Sequence, residues 1–368
     1  MIQGGHPRST VSLNMTVRIQ SAAPAVDKKS PALHPVGAHA RRPPLHRTPP
    51  PLPVASHPVE LSPVDIAPYR GGSDGPEHVL SWTAARPGPH VVVNALMHGN
   101  ELCGALALDA LLRAGLRPRR GRLTFCFANV AAYHAFDPLN PSASRFVEED
   151  MNRVWAPEVL EGPRQSAELA RARALLPLFA TADLLLDIHS MQTGSPPLTL
   201  CGPTERGATL AARVGLPAWI VTDSGHAGGR RLIDHPRFAD PDGAATAILV
   251  ECGQHWRRET ADVALQVALR FLLAAGSIDA EDVDHWASPP PPEPQRRVLI
   301  TRAVTATSED FRFVQDYEGM EVIGQAGTVI ARDGDVAVTT PHDDCVLVMP
   351  SRRLKPGQTA VRLGRLLP

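Results

Sequence analysis

The sequence predicts an α/β protein: a mixed, largely parallel sheet flanked by helices, followed by a small all-β domain. Three observations predict it. Compact apolar runs rich in β-branched residues alternate with segments of helical period. Several of those runs are apolar throughout, as strands covered on both faces are. Past a proline-rich stretch the helical pattern stops, and short runs punctuated by glycine, proline and Asp-Gly take over.

The elements follow in order. Residues 1–58, including ARRPPLHRTPPPLPVASHP (40–58), are rich in proline, histidine and arginine and nearly free of acid. Such a segment buries too little apolar surface to offset its ordering entropy, so disorder is expected there, with Met15 a second candidate start. A catalytic α/β domain is expected over 59–286. In it HVVVNALM (90–97) reads as a buried strand and ELCGALALDALLRAGL (101–116) as a helix stopped by glycine. RLTFCFANV (122–130) is the next strand, RQSAELARARALLPLFA (164–180) a helix, and ADLLLDIHSM (182–191) a strand ending in polar residues. LAARVGL (210–216) reads as helix, PAWIVTD (217–223) and AATAILVECG (244–253) as strands, and ADVALQVALRFLLAAG (261–276) as the closing helix. ASPPPPEPQ (287–295) is a proline-rich linker. Residues 296–368 form the all-β domain, with RRVLITRAV, MEVIGQAGTVIA, DVAVTTP and CVLVMPS as its strands.

Composition narrows the function. The 368 residues carry a formal charge of −1, which gives no global attraction to nucleic acid or to an anionic membrane. No apolar stretch approaches the roughly 20 residues of a membrane helix, and Val263–Ile278 is interrupted by Gln266 and Arg270. Five cysteines (103, 126, 201, 252 and 345) form no CxxC pair and sit mostly in apolar runs. Buried reduced thiols and a cytoplasmic location are expected.

Ligands of open α/β sheets bind beyond the carboxyl ends of the strands. The polar residues at those ends are His98 and Glu101, Asn129, then Asp187, His189 and Ser190, and finally Glu251. Two arrangements satisfy them. In one, MHGNE (97–101) is a polar turn and His189 a satisfied structural histidine. In the other, His98, Glu101 and His189 are three ligands of a catalytic zinc, which takes imidazole nitrogen and carboxylate oxygen and keeps one position for water. Asp187 then orients a ligand histidine, and Glu251 is the free carboxylate able to act as general base.

Four motifs in order, MHGNE (97–101), SRFVEEDMNRVW (144–155), LLDIHSMQ (185–192) and VECGQ (250–254), resemble the succinylglutamate desuccinylase/aspartoacylase family, which belongs with zinc carboxypeptidases of the carboxypeptidase A type. The resemblance covers about residues 88–275 clearly and the β domain more loosely. It implies the fold of that group and one zinc ion per chain on His98, Glu101 and His189, with Glu251 as general base. It further implies that Arg145 polarises the scissile carbonyl and that Asn152 and Arg153 hold a substrate carboxylate. Substrate contacts are also implied before the Glu251 strand, where Arg237 is the chosen candidate beside Arg230 and Arg231. One departure is plain: the family's late tyrosine that reaches the active site has no counterpart in TTPHDDCVLVMPS (339–351), and Tyr317 is the only tyrosine past the linker. The implied activity is zinc-dependent hydrolysis of an N-acyl group, acetyl or succinyl in type, from an amino acid or related small carboxylated amine. A carboxypeptidase-like enzyme on short peptides and a silent binding protein on the same fold are the alternatives. A small-molecule substrate is the expected partner, and a homo-oligomer is compatible with all of this.

Overall fold

The computed structural model describes residues 57–71, 75–226, 228–289, 291, 293–352 and 354–368. Apart from residues 57–58, the tail expected to be disordered lies outside the described residues.

The chain lays down β1 (Val79–Thr83), β2 (His90–Ala95), α1 (Leu102–Arg113), β3 (Arg122–Phe127), α2 (Val130–His134), α3 (Pro157–Leu160), α4 (Ala167–Thr181) and β4 (Leu184–Met191). Then come β5 (Leu198–Leu200), α5 (Glu205–Val214), β6 (Trp219–Thr222), α6 (Pro236–Ala239), β7 (Thr246–Gln254) and α7 (Glu259–Ala274). The C-terminal strands are β8 (Arg296–Thr305), β9 (Phe311–Phe313), β10 (Glu321–Ile323), β11 (Val329–Asp333), β12 (Val336–Thr339), β13 (Cys345–Val348) and β14 (Thr359–Leu367).

The main sheet runs β1-β3-β2-β4-β7-β5-β6-β8-β14-β13-β10. Its centre, β3, β2, β4 and β7, is parallel. Antiparallel β1 closes one edge, and antiparallel β5 sits between β7 and β6. The α/β expectation therefore holds, and so does the all-β character beyond the proline-rich stretch. The C-terminal strands continue the same sheet: β8 pairs in parallel with β6, from Trp219↔Arg296 to Thr222↔Leu299. A second sheet, β12-β11-β9, shares a buried cluster with this extension, Ile330, Ala331 and Val338 with Leu347, Val361 and Leu363.

Strand alternation sorts the core onto two faces. Val91, Val93, Leu186, Ile188, Ile248 and Val250 turn to the face covered by α1, α5 and α7. Val92, Leu185, Ala247 and Leu249 turn to the other, under Leu169, Leu175 and Phe179 of α4. Both faces being covered explains why β2, β4 and β7 read as unbroken apolar runs. The same alternation carries Asn94, Asp187, His189 and Glu251 to the α4 face, where β2 pairs Asn94 with Asp187 and β4 pairs His189 with Glu251.

Candidate active site

The turn MHGNE sits directly beyond β2, and its glycine has no substitute. A Cβ on Gly99 would lie 2.2 Å from the backbone carbon of Ala132. Gly99 N–H donates to the Arg145 carbonyl at 3.1 Å, which ties the turn to the loop bearing the arginine. Helix α1 starts one residue after Glu101.

His98, Glu101 and His189 converge in a buried cluster whose ligand atoms all lie within 4.8 Å of one another. Both imidazoles present Nδ1 to the one carboxylate: His98 to Glu101 Oε1 at 2.7 Å and His189 to Glu101 Oε2 at 2.9 Å. The Nε2 atoms face outer carboxylates, His98 to Asp150 Oδ1 and His189 to Asp187 Oδ2, each at 2.9 Å. Asn94 Nδ2 donates to Asp187 at 2.7 Å, and Arg145 to Asp150 at 3.0 Å. A carboxylate that holds the Nε2 proton leaves Nδ1 to bind a cation, the usual support of a metal-bound histidine. Glu101 Oε2 is buried at contact distance from His189 yet has no hydrogen-bond partner among the described residues. Such an unsatisfied oxygen beside an imidazole nitrogen, on a carboxylate flanked by two histidines, fits a divalent cation. The donors, two nitrogens and a carboxylate, match zinc's preferences.

The electrostatics agree. Burial opposes the charge on Glu101, but His98 and His189 outweigh it and hold the carboxyl well below the usual range. Burial likewise opposes charge on His189, and Asp187 and Glu101 outweigh it and hold the imidazole well above its ordinary value. Glu251 differs. Burial pushes it up to about 8, and its Oε2 has no hydrogen-bond partner among the described residues.

A cleft of about 500 Å³ opens over the cluster. Arg145, Asn152, Arg153 and Glu251 border it with the three cluster residues. Arg145 lies 3.7 Å from Glu101 Oε1, and Asp150 with Glu101 overrides burial and keeps its guanidinium charged. Asn152 has part of its side chain spent: Oδ1 accepts from Leu232 N–H at 2.9 Å. Arg153 is lowered by burial to about 10.

Three sequence expectations need correction, those for Arg237, Arg231 and Asn129. Arg237 does not join the group. It donates to the Ala182 carbonyl at 3.0 and 3.1 Å, just before β4 and at the opposite end of the strand from His189. Its neighbour Arg231 does border the cleft, but its fork is consumed by Asp223 and Asp234. Asn129 caps α2 and donates to Glu168 instead of facing the cleft. Tyr317 is buried against Phe313 in the C-terminal cluster. The segment CVLVMPS still contributes Met349, Pro350 and Ser351 to the cleft.

Sequence reasoning missed His226, His255 and Arg362, which also border the cleft. His255 Nδ1 lies 2.8 Å from Ser190 Oγ, and burial lowers its imidazole to about 3. Its nearness to Glu251 in VECGQH was the available signal. Arg362 offered none, since an arginine in an apolar strand is more often an edge residue.

A sheet whose carboxyl ends gather two histidines, two glutamates and a paired arginine in one cleft can hold a divalent cation beside a free carboxylate. The succinylglutamate desuccinylase/aspartoacylase catalytic domain matches residues 87–275. The chain is 26% identical over 300 residues to the succinylglutamate desuccinylase of Burkholderia cenocepacia, covering 73% of this chain and 79% of that protein. The succinylglutamate desuccinylase structure from Vibrio parahaemolyticus superposes with a TM-score of 0.59 at 19% identity, covering 81% of this chain and 90% of that one. A product-bound ectoine utilization protein from Ruegeria pomeroyi gives 0.54 at 17% identity, covering 78% and 87%. This chain belongs to the succinylglutamate desuccinylase/aspartoacylase family.

Proposed function

We propose that the protein is a zinc-dependent hydrolase that removes an N-acyl group from an amino acid or a related small carboxylated amine. The observation that carries this reading is the buried convergence of His98, Glu101 and His189 in a cleft shared with Arg145 and Glu251. Zinc on those three residues would supply Lewis acidity to the amide and acidify the attacking water.

The chain's own residues do the rest. Glu251 takes the proton from water and returns it to the leaving amine nitrogen; burial raises its proton affinity, which suits a group that must do both. Arg145 stands ready to meet the charge that develops on the acyl oxygen. Asp150 fixes Arg145 and His98 at once, so it positions both. Arg153 Nη1 donates to the Asn152 carbonyl at 2.6 Å, which leaves Nη2 for a substrate carboxylate. One wall of the cleft comes from residues 349–351 and 354–362, and its volume suits a small molecule better than a polypeptide end. All five cysteines are buried and unpaired, which supports a cytoplasmic location. No helix among the described residues is long and apolar enough to cross a membrane.

The test is amine release from N-acetyl and N-succinyl amino acids, acylated diamines and dipeptides, with zinc-loaded Glu251→Gln as blank. Turnover of an acyl amino acid above the blank is expected. Turnover confined to dipeptides would make the enzyme a peptidase, and silence with zinc bound would sink both.

A further inference from the structure

Past a bulge near its start, strand β14 alternates. Val361 and Leu363 turn into the C-terminal cluster, so period two sends Arg362 to the opposite face. There β14 lies against β8, with Ala303 opposite Arg362, and β8 lies against β6, which delivers Asp223 one residue past its end. The Arg362 guanidinium thus reaches the cleft from the C-terminal strands, at 7% exposure.

Its obvious counter-ion is already engaged. Arg231 donates to the two oxygens of Asp223 at 2.9 and 2.5 Å and to those of Asp234 at 2.6 and 2.9 Å. Among the described residues, Arg362 is left with Nε at 3.5 Å from Asp223 Oδ2, longer than a hydrogen bond. Its terminal nitrogens carry the planar fork that carboxylates match. Arg153 and His226 complete this corner. Burial lowers the Arg362 and Arg153 guanidiniums, and each feels the other's charge or that of Arg231. Burial lowers His226 to about 3, with Arg153 and then Arg362 adding to it. Cations gathered at one buried corner repel each other, and an anion between them reverses that cost.

We propose that Arg362 is a specificity-determining residue, which with Arg153 seats a carboxylate of the substrate. This deepens the deacylase reading and rests on it. The C-terminal strands thereby select the substrate as well as narrowing the cleft.

The test compares an N-acyl amino acid with its carboxamide analogue on the full-length, zinc-loaded protein. In Arg362→Met the preference for the acid over the amide, as a ratio of kcat/KM values, should fall roughly 10- to 100-fold, mostly through KM, as loss of a charge-assisted hydrogen bond allows. Arg362→Lys should recover part of it. An equal loss on acid and amide, or an unchanged preference, overturns the proposal. Titration with succinate, followed by calorimetry, gives a readout without turnover. Wild type should bind it and Arg362→Met should bind at least tenfold more weakly; equal binding overturns the proposal even if no acyl amino acid is hydrolysed, an outcome that would separately end the deacylase reading. Should Arg362→Met melt early, Arg362→Gln and Arg362→Lys carry the same comparison.

Discussion

Strand β2 has a histidine near each end, and the two live in opposite surroundings. His90 opens the strand. Its ring lies between hydroxyls, with Nε2 at 2.9 Å from Thr124 and Nδ1 at 3.1 Å from Thr181. Burial, aided by Arg122, lowers it to about 4, so it is neutral at pH 7. His98, just past the other end, lies between the carboxylates of Glu101 and Asp150. The difference recurs across the sheet. At the amino ends Arg237 is spent on the Ala182 carbonyl; at the carboxyl ends Arg145 and Arg362 face a cleft. One end spends its polar groups on hydroxyls and backbone carbonyls, and the other gathers paired charges around a cleft.

The sharpest way to break this contrast is at the cluster. His189→Ala should lose bound zinc, read by metal analysis of purified protein, whereas His90→Gln should keep it. Glu251→Gln should retain zinc and lose roughly 10³-fold in kcat, within the range of general-base catalysis; an active Glu251→Gln would remove the base assignment. Arg145→Met should cost about 10²-fold or more in kcat, as loss of an oxyanion donor does, and a change confined to KM would count against that role.

The amino end predicts smaller effects, on stability. His90 has a folded value of about 4, below its unfolded value near 6.5. The unfolded chain therefore binds more protons between those values, so stability is complete above about pH 6.5 and falls as pH drops toward 4. The loss should reach about 2 kcal/mol after solvent screening. Urea midpoints of wild type and His90→Gln across that window measure it, and parallel curves would refute it. Least of all, Arg237→Met should cost about 1 kcal/mol of stability for its lost hydrogen bonds and leave KM unchanged. A tenfold rise in KM would return Arg237 to the substrate.

Most of the parallel centre was legible because β2, β3, β4 and β7 are buried on both faces and say so in uninterrupted apolar runs. Strands that depend on neighbours were not. β5 has three residues and exists by pairing between β7 and β6. β1 is half exposed along its length, and β14 hides its strand pattern behind arginines. The cluster residues were legible because they end strong strands. Arg237 misled because a glycine- and arginine-rich loop reaches both ends of the sheet. Arg362 was invisible because its place is set by β8 pairing with β6, a contact between distant parts of the chain.

That pairing also bears on how a ligand arrives. The β4 side and the β14 side of the cleft are rooted in one hydrogen-bonded sheet, continuous from β4 through β6 and β8 to β14. A jaw needs a hinge between its halves, and this mouth is cast in one piece. Capture should then be a plain collision: stopped-flow rates that climb linearly with ligand concentration, without the plateau that a slow closing step imposes. Discrimination would be exercised at the doorway, by what the opening admits.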